Sequence, residues 1–105
     1  MIKSLWEILI PVSSNQGKKF ALAYHKEWDA KARKISGGLT ILKAGKGEWI
    51  SPEGKTFYDK MIPVRLYCTE KEIDEIIQFT LKHYNQEAVM AYEVSKNVKI
   101  VHKKK

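Results

Sequence analysis

The spacing of hydrophobic residues changes within residues 62–86, which read IPVRLYCTEKEIDEIIQFTLKHYNQ. In the first part every second residue from Ile62 to Cys68 is apolar, a pattern typical of a β-strand. From residue 70 the apolar positions recur three and four residues apart, which predicts an α-helix over residues 70–86. Thr69 directly precedes this helix and Glu72 follows three residues later. The pair forms a capping box, which predicts where the helix begins.

The same two patterns recur on either side of this stretch. Apolar runs at residues 5–12, 39–42 and 88–94 predict strands, and a helix-period stretch covers residues 17–36. Gly37 and Gly38 fit the end of that helix, and residues 13–15 (SSN) supply candidates for its N-cap. One side of each helix is apolar. The predicted core-facing residues are Phe20, Tyr24, Trp28, Ala32 and Ile35 in the first helix and Ile73, Ile76, Ile77, Thr80 and Tyr84 in the second.

The resulting order is β-α-β-β-α-β, which predicts an α+β fold: a ferredoxin-like split β-α-β, two-layer sandwich. The chain between the two central strands is longer than a simple hairpin needs. Residues 51–54 (SPEG) form a good type I turn, so we expect an inserted β-hairpin built from residues 48–50 and 56–58. A turn at residues 95–97 predicts a short extra C-terminal strand over residues 98–102.

Length and composition indicate one domain over residues 1–102, followed by a basic tail at residues 103–105. Cys68 is the only cysteine, so no disulfide can form within the chain, which fits a reducing compartment. Residues 1–7 lack the features of a signal peptide, and no apolar run approaches the length of a membrane span. We therefore expect a cytoplasmic protein with no membrane partner.

The net charge of +7 is unevenly distributed: +6 falls in residues 1–69, −2 in residues 70–102 and +3 in the tail. The first helix is basic and the second begins with acidic residues, so neighbouring helices would partly neutralise each other. An excess of lysine alone gives weak, sequence-independent attraction to nucleic acid. Nucleic acid is thus an expected partner only as a less favoured alternative.

A two-layer domain of this kind leaves one sheet face without helices, and that face predicts self-association. If residues 62, 64, 66 and 68 face the helices, the residues between them lie on the open side. Residues 89 and 91 join them if residues 90, 92 and 94 point inward. An apolar face of this size favours covering by another copy, most simply in a two-fold homodimer. The alternative is that the inserted hairpin or the C-terminal strand covers it. The interface candidates on this face are Leu9, Tyr67, Val89 and Ala91, and Phe79, which we expect on the exposed outer face of the second helix near His83, is a further candidate for a protein contact.

Sequence motifs for chemistry are largely absent. The glycines match no phosphate-binding loop, and the three histidines lie on separate predicted elements, so we expect no metal site and no cofactor. Five residues remain as ligand-binding candidates: His25, Trp49, Arg65, Tyr67 and Tyr92. Each has a structural alternative: packing for the histidine and the aromatic residues, and an ion pair with Glu7 or Glu93 for the arginine.

Four short segments occur in a suggestive order: EW at residues 27–28, GLTI at 38–41, GEW at 47–49 and YNQEAV at 84–89. They resemble a pattern in a small family of bacterial and phage-type proteins known only as a domain of unknown function. The resemblance covers roughly residues 20–94 and implies a ferredoxin-like, dimeric α+β protein. It departs at residues 35–37 (ISG), where that family tends to have an aromatic-proline step. The family has no established catalytic residues, so none are carried over.

Three hypotheses for function follow. The favoured one is a homo-oligomeric binding or interaction module without catalytic chemistry, whose small-molecule or protein ligand is not specified by the sequence. The second is a small cofactor-independent enzyme with a pocket between sheet and helices. The third is nucleic-acid binding through the open sheet face, which would need surface aromatic residues with basic neighbours.

Overall fold

The computed structural model describes residues 2–104. Its elements, in chain order, are β1 (Lys3–Pro11), α1 (Leu22–Ser36), β2 (Thr40–Ile41), β3 (Gly45–Ile50), β4 (Thr56–Thr69), α2 (Glu70–His83) and β5 (Ala91–Ser95). The predicted β-α-β-β-α-β order is confirmed, with β3 as an additional strand between the central pair. None of the helices in this part of the chain is long and apolar enough to cross a membrane.

The strands form one antiparallel sheet in the order β2-β4-β1-β5, and β3 pairs with β4 beyond β2. In the central pair, Ile8 lies opposite Val64 and Glu7 lies opposite Arg65. Ile8 and Val64 are buried against the helices. Because side chains alternate along a strand, Glu7 and Arg65 belong to the other face, as the sequence pattern predicts. The predicted ferredoxin-like α+β sandwich is confirmed.

The hydrophobic core lies between this sheet and the two helices. Its buried members include Ile8, Ile10, Val64, Leu66 and Cys68 from the sheet and Trp28, Ala32, Ile73, Ile76 and Tyr84 from the helical side. The predicted apolar stripes of both helices are therefore confirmed. The helices are also joined by a buried hydrogen bond in which Trp28 Nε1 donates to Thr80 Oγ1 at 2.8 Å.

The start of α2 and the end of α1 agree with the sequence, whereas α2 ends at His83, three residues before the predicted end, and the start of α1 differs as well. The capping box is confirmed: Glu72 N–H donates to Thr69 Oγ1 at 3.1 Å, and Thr69 N–H donates to the Glu72 carboxylate at 2.9 Å. Gly37 ends α1 in the left-handed region at φ 90°, as predicted. The predicted start of α1 is wrong. Its N-cap is Ala21, while Ser14 instead accepts a bond from Lys18 N–H and stabilises the preceding loop.

The inserted hairpin is longer than predicted because its second strand continues without interruption into the centre of the sheet. Its tip is closed by the predicted turn, in which Gly54 N–H donates to the Ser51 carbonyl at 2.9 Å. Residues 56–60 of β4 pair only with β3 and are exposed. We call residues 45–60 the arm. The arm makes the molecule elongated, with extents of 55 × 29 × 23 Å and a radius of gyration of 15.1 Å, against about 13 Å for a compact chain of this length.

The predicted C-terminal strand is wrong. Residues 98–102 form no strand and are mostly exposed. The chain turns after β5, where Val98 N–H donates to the Lys96 carbonyl, and it continues as an irregular segment. The predicted basic tail ends at Lys105, which lies outside the described residues.

Candidate functional site

The centre of the open sheet face is a charged group that is already paired. Arg65 Nε donates to Glu7 Oε1 at 2.9 Å, which confirms the predicted ion pair, and Tyr92 donates its hydroxyl hydrogen to Glu7 Oε2. These partners leave Glu7 only 6% exposed although no helix covers this face. The hydrogen bond from Tyr92 and, next, the bond from Arg65 hold the pKa of Glu7 below its ordinary value. The group is therefore an ionised carboxylate with both oxygens occupied.

The last strand faces the opposite way from the sequence prediction. Tyr92 pairs with Glu7 and lies on the open face, whereas Ala91 pairs with Ile8 on the face covered by the helices. Val89 and Ala91 both pack against the core, so they do not lie on the predicted interface. This orientation satisfies both sides of the strand. Val89 and Ala91 are small and apolar and fit under the helices, and Tyr92 can bond the Glu7 carboxylate only from the open side.

Apolar residues surround the charged centre of the open face. The register places Leu5 opposite Tyr67 and Leu9 opposite Pro63, all on this side. Leu9 and Tyr67 are therefore where the sequence predicted them, and both are half-buried. The Lys3 ammonium lies 5.7 Å from the centre of the Tyr67 ring. We use "open face" for this surface; its residues are Leu5, Glu7, Leu9, Pro63, Arg65, Tyr67 and Tyr92.

The arm adds an aromatic pair to the same side. Trp49 lies opposite Phe57, and their rings stack at 4.6 Å between centres with 16° between planes. Trp49 Nε1 donates to the Asp59 carboxylate at 2.9 Å, yet the residue remains 50% exposed. Phe57 alternates with residues 59, 61, 63 and 65 along β4, so it shares the side of Arg65. The open face and the Trp49–Phe57 pair thus lie on the same side of β4, with Asp59 and Met61 between them.

His25 is separate from these residues and lies between the helices and the sheet edge. Its Nδ1 is 2.7 Å from the Tyr84 hydroxyl, and burial lowers the pKa of the imidazole. Of the five predicted ligand-binding residues, the structure therefore brings together Arg65 and Tyr92 around one carboxylate. It places Tyr67 on the same face, Trp49 on the arm and His25 elsewhere.

Phe79 does not form the exposed contact that was predicted. It packs against the core and stacks on His83, with ring centres 5.1 Å apart. His83 in turn stacks on Tyr24 at 4.1 Å, so these aromatic rings join α2 to α1. The sequence spacing placed Phe79 outside the apolar stripe, but a stacked histidine one turn later covers it.

Neither a metal site nor a reactive thiol is evident among residues 2–104. No group of three or more His, Cys, Asp or Glu side chains in that range could hold a metal ion. Cys68 is buried, and burial raises the pKa of its thiol to about 11, which keeps it protonated near neutral pH.

Two residues beside His25, Asp29 and Tyr84, were not among the predicted ligand-binding residues. Asp29 lies one helical turn after His25, a spacing that was available in the sequence. Tyr84 was assigned only to the core, and its contact with His25 joins residues 59 positions apart.

No protein family and no curated protein matches this chain in sequence. Solved structures do resemble it. CutA from Xylella fastidiosa is 12% identical, with a TM-score of 0.68 over 95% of this chain and 88% of that one. The divalent cation tolerance protein CutA1 from Thermus thermophilus is 7% identical, with a TM-score of 0.65 over 97% and 87%. A phage SAM lyase in complex with S-methyl-5'-thioadenosine is 10% identical, with a TM-score of 0.65 over 90% and 82%. At these identities the likeness shows a common fold; it confirms the ferredoxin-like fold that the resemblance implied but not a family of unknown function, since the similar structures named above are CutA proteins and a phage SAM lyase.

Proposed function

We propose that the protein is a small homo-oligomeric binding module whose copies associate through the open face. In this assembly the arm of one copy lies on the open face of another. The observation that carries the proposal is that the half-exposed Trp49–Phe57 pair lies on the same side of β4 as the open face. Exposed apolar side chains gathered on one side of a sheet favour an interaction site.

The paired charge at the centre of the open face supports this proposal. Covering an unpaired carboxylate costs several kcal/mol, but Glu7 already accepts bonds from Arg65 and Tyr92. A partner can therefore pack over the three side chains without leaving a buried charge unsatisfied. Leu9 and Tyr67 beside them supply the apolar area.

The arm gives a second reason for assembly. A two-stranded hairpin is at best marginally stable in water, and nearly all residues of the arm are exposed in a single copy. Packing its aromatic side on another molecule would stabilise it. A two-fold dimer is the simplest closed arrangement, and a larger ring can use the same contact.

Light scattering coupled to gel filtration tests the proposal, with Trp49→Ala as the interface variant. Tyr58→Ala is the matched control because Tyr58 is 63% exposed on the opposite side of the arm. We expect a mass of two or more chains for the unchanged protein and for Tyr58→Ala, and dissociation at least about tenfold easier for Trp49→Ala. A monomer at high concentration, or equal effects of both variants, would overturn the proposal.

A second candidate function is an enzyme acting in a pocket between sheet and helices. A cavity reaches His25 from that direction, and one protein with this fold is a SAM lyase bound to S-methyl-5'-thioadenosine. Incubation of the protein with SAM, followed by chromatography for S-methyl-5'-thioadenosine, tests this candidate directly. Product that forms with the unchanged protein and is lost in His25→Ala supports it; no product over a blank removes it.

A further inference from the structure

A cavity of about 170 Å³ lies between α1 and the edge of the sheet formed by β2 and β4. Its lining is apolar except along one wall. The lining residues are Ile10, Leu22, His25, Asp29, Ile41, Ile62 and Val64. Leu22 and Ile41 stand at its mouth and are 69% and 51% exposed, so apolar surface remains uncovered there. The cavity lies on the helix side of the sheet, away from the open face.

Asp29 places a carboxylate in this wall, and no cationic side chain among the described residues lies within ion-pair distance of it. It makes no hydrogen bond or ion pair with any residue among 2–104. Partial burial raises its pKa, while the neighbouring His25 and the charge of Arg33 act in the opposite direction. No lysine or arginine among the described residues lines the cavity. A partly desolvated acceptor of this kind gains most from a charged donor.

Burial lowers the pKa of the His25 imidazole and so disfavours its charged form, although the neighbouring charge of Asp29 acts in the opposite direction. The imidazole Nδ1 lies 2.7 Å from the Tyr84 hydroxyl, and burial raises the pKa of that hydroxyl, so the tyrosine keeps its proton. The wall thus places an imidazole that is already hydrogen-bonded beside the Asp29 carboxylate.

We propose that this cavity binds a small organic cation with an apolar body, whose ammonium group pairs with Asp29 and whose apolar part covers Leu22 and Ile41. The volume suits one six-membered ring, since an apolar cavity of about 150 Å³ in another protein holds benzene. An anion is disfavoured by the carboxylate, and a neutral ligand leaves that carboxylate unpaired. The inference depends on the cavity alone, and it requires neither self-association nor catalysis.

Titration of the ¹⁵N-labelled full chain with three probes of similar shape tests the proposal: benzylammonium, benzyl alcohol and benzoate. We expect benzylammonium to shift amide signals of α1 and β2 with the highest affinity and benzoate to cause no saturable shift. Asp29→Asn should weaken benzylammonium binding about tenfold, the value expected when one charge-assisted bond is lost. The affinity for benzyl alcohol should stay unchanged in that variant.

Glu27→Gln is the matched control, because it removes the same charge from an exposed position on the same helix. The affinity of this variant for benzylammonium should stay within about twofold of that of the unchanged protein, since salt largely screens a solvent-exposed charge outside the cavity. Equal binding of all three probes, equal effects of the two variants, or no binding at all would each overturn the proposal. Circular dichroism of Asp29→Asn separates loss of the site from loss of the fold, and the gel-filtration mass shows that self-association is unaffected.

Discussion

At the scale of single residues, the stability of the fold should depend on the hydrogen bond between Trp28 and Thr80, which joins the two helices. Thr80 is fully buried, accepts from Trp28 Nε1 and donates to the Ile76 carbonyl. Thr80→Val keeps the shape but leaves the indole N–H without a partner, which should lower the free energy of unfolding by about 1–3 kcal/mol. Urea unfolding measures this.

Thr80→Ser keeps the hydroxyl and is the comparison for this effect. It removes only one methyl group, for which we expect a loss of about 1 kcal/mol. If the valine variant were as stable as the unchanged protein, the hydrogen bond would contribute nothing to the fold.

The buried carboxylate of Glu7 predicts a pH dependence of stability. Because Tyr92 and Arg65 lower its pKa in the folded protein from the ordinary 4.5, this group stabilises the fold at pH values above 4.5. That contribution disappears as the pH falls through the lowered folded value. At pH 7 the free energy of unfolding of the unchanged protein should therefore be higher than that of the Glu7→Gln variant. The difference between the two should shrink steadily below about pH 4.5.

Urea unfolding of both proteins across this range measures the difference, with Glu93→Gln as the control on the neighbouring strand. A difference between the unchanged protein and Glu7→Gln that stays constant with pH would show that Glu7 is not held ionised by its partners.

At the scale of elements, the arm is the part whose stability should depend on assembly. Backbone hydrogen bonds of residues 45–60 are formed within one hairpin, except that Val12 N–H donates to the Lys60 carbonyl at the base of the arm, whereas α2 packs on the core. In the assembled protein we expect slow amide exchange in both. In a Leu9→Lys variant, which places a charge on the open face, exchange of the arm should rise toward the unprotected rate while α2 stays protected.

Hydrogen–deuterium exchange followed by mass spectrometry resolves the two segments in one experiment. Arm protection that is the same in the monomeric variant would mean that the hairpin is stable alone, and the proposed contact would lose its role in stabilising the arm.

Among the elements, those with local patterns were the ones that the sequence predicted well. The Thr69–Glu72 box marks the start of α2, and Gly37 marks the end of α1, because both depend on bonds between residues a few positions apart. The start of α1 was missed because Ala21 offers no capping side chain. The face of β5 was missed for another reason. Alternation in a five-residue edge strand is compatible with either orientation, and only the Tyr92 bond to Glu7, 85 residues away, distinguishes them.

At the scale of the whole molecule, the charge distribution predicts only weak affinity for single-stranded nucleic acid. Arg65, the basic residue at the centre of the open face, is bound to Glu7. The exposed aromatic residues of the arm alternate with acidic as well as basic ones. Fluorescence anisotropy with a labelled oligonucleotide at about 0.15 M salt should show no saturable binding. Binding that weakens steeply with added salt would contradict this.

The sequence predicted only part of the candidate site, because some of its contacts join residues far apart in the chain. The Glu7–Arg65 pair was predictable because the central strands have a strict register. The cavity was not, since it joins a helix, the two-residue strand β2 and the middle of β4. His25 could be singled out in the sequence because it is a histidine, whereas Asp29 and Tyr84 become candidates only once the structure places them beside it.

Under the proposed assembly the arm would link the lifetime of the chain to its abundance. Lys55 lies exposed at the tip of the arm, and exposed loop tips are preferred sites of proteolytic cleavage. In the proposed assembly the peptide bonds of the arm are sheltered, and the fraction of sheltered arms rises with protein concentration by mass action. The chain would then be degraded faster at low concentration than at high concentration, so that its lifetime would rise with its own concentration.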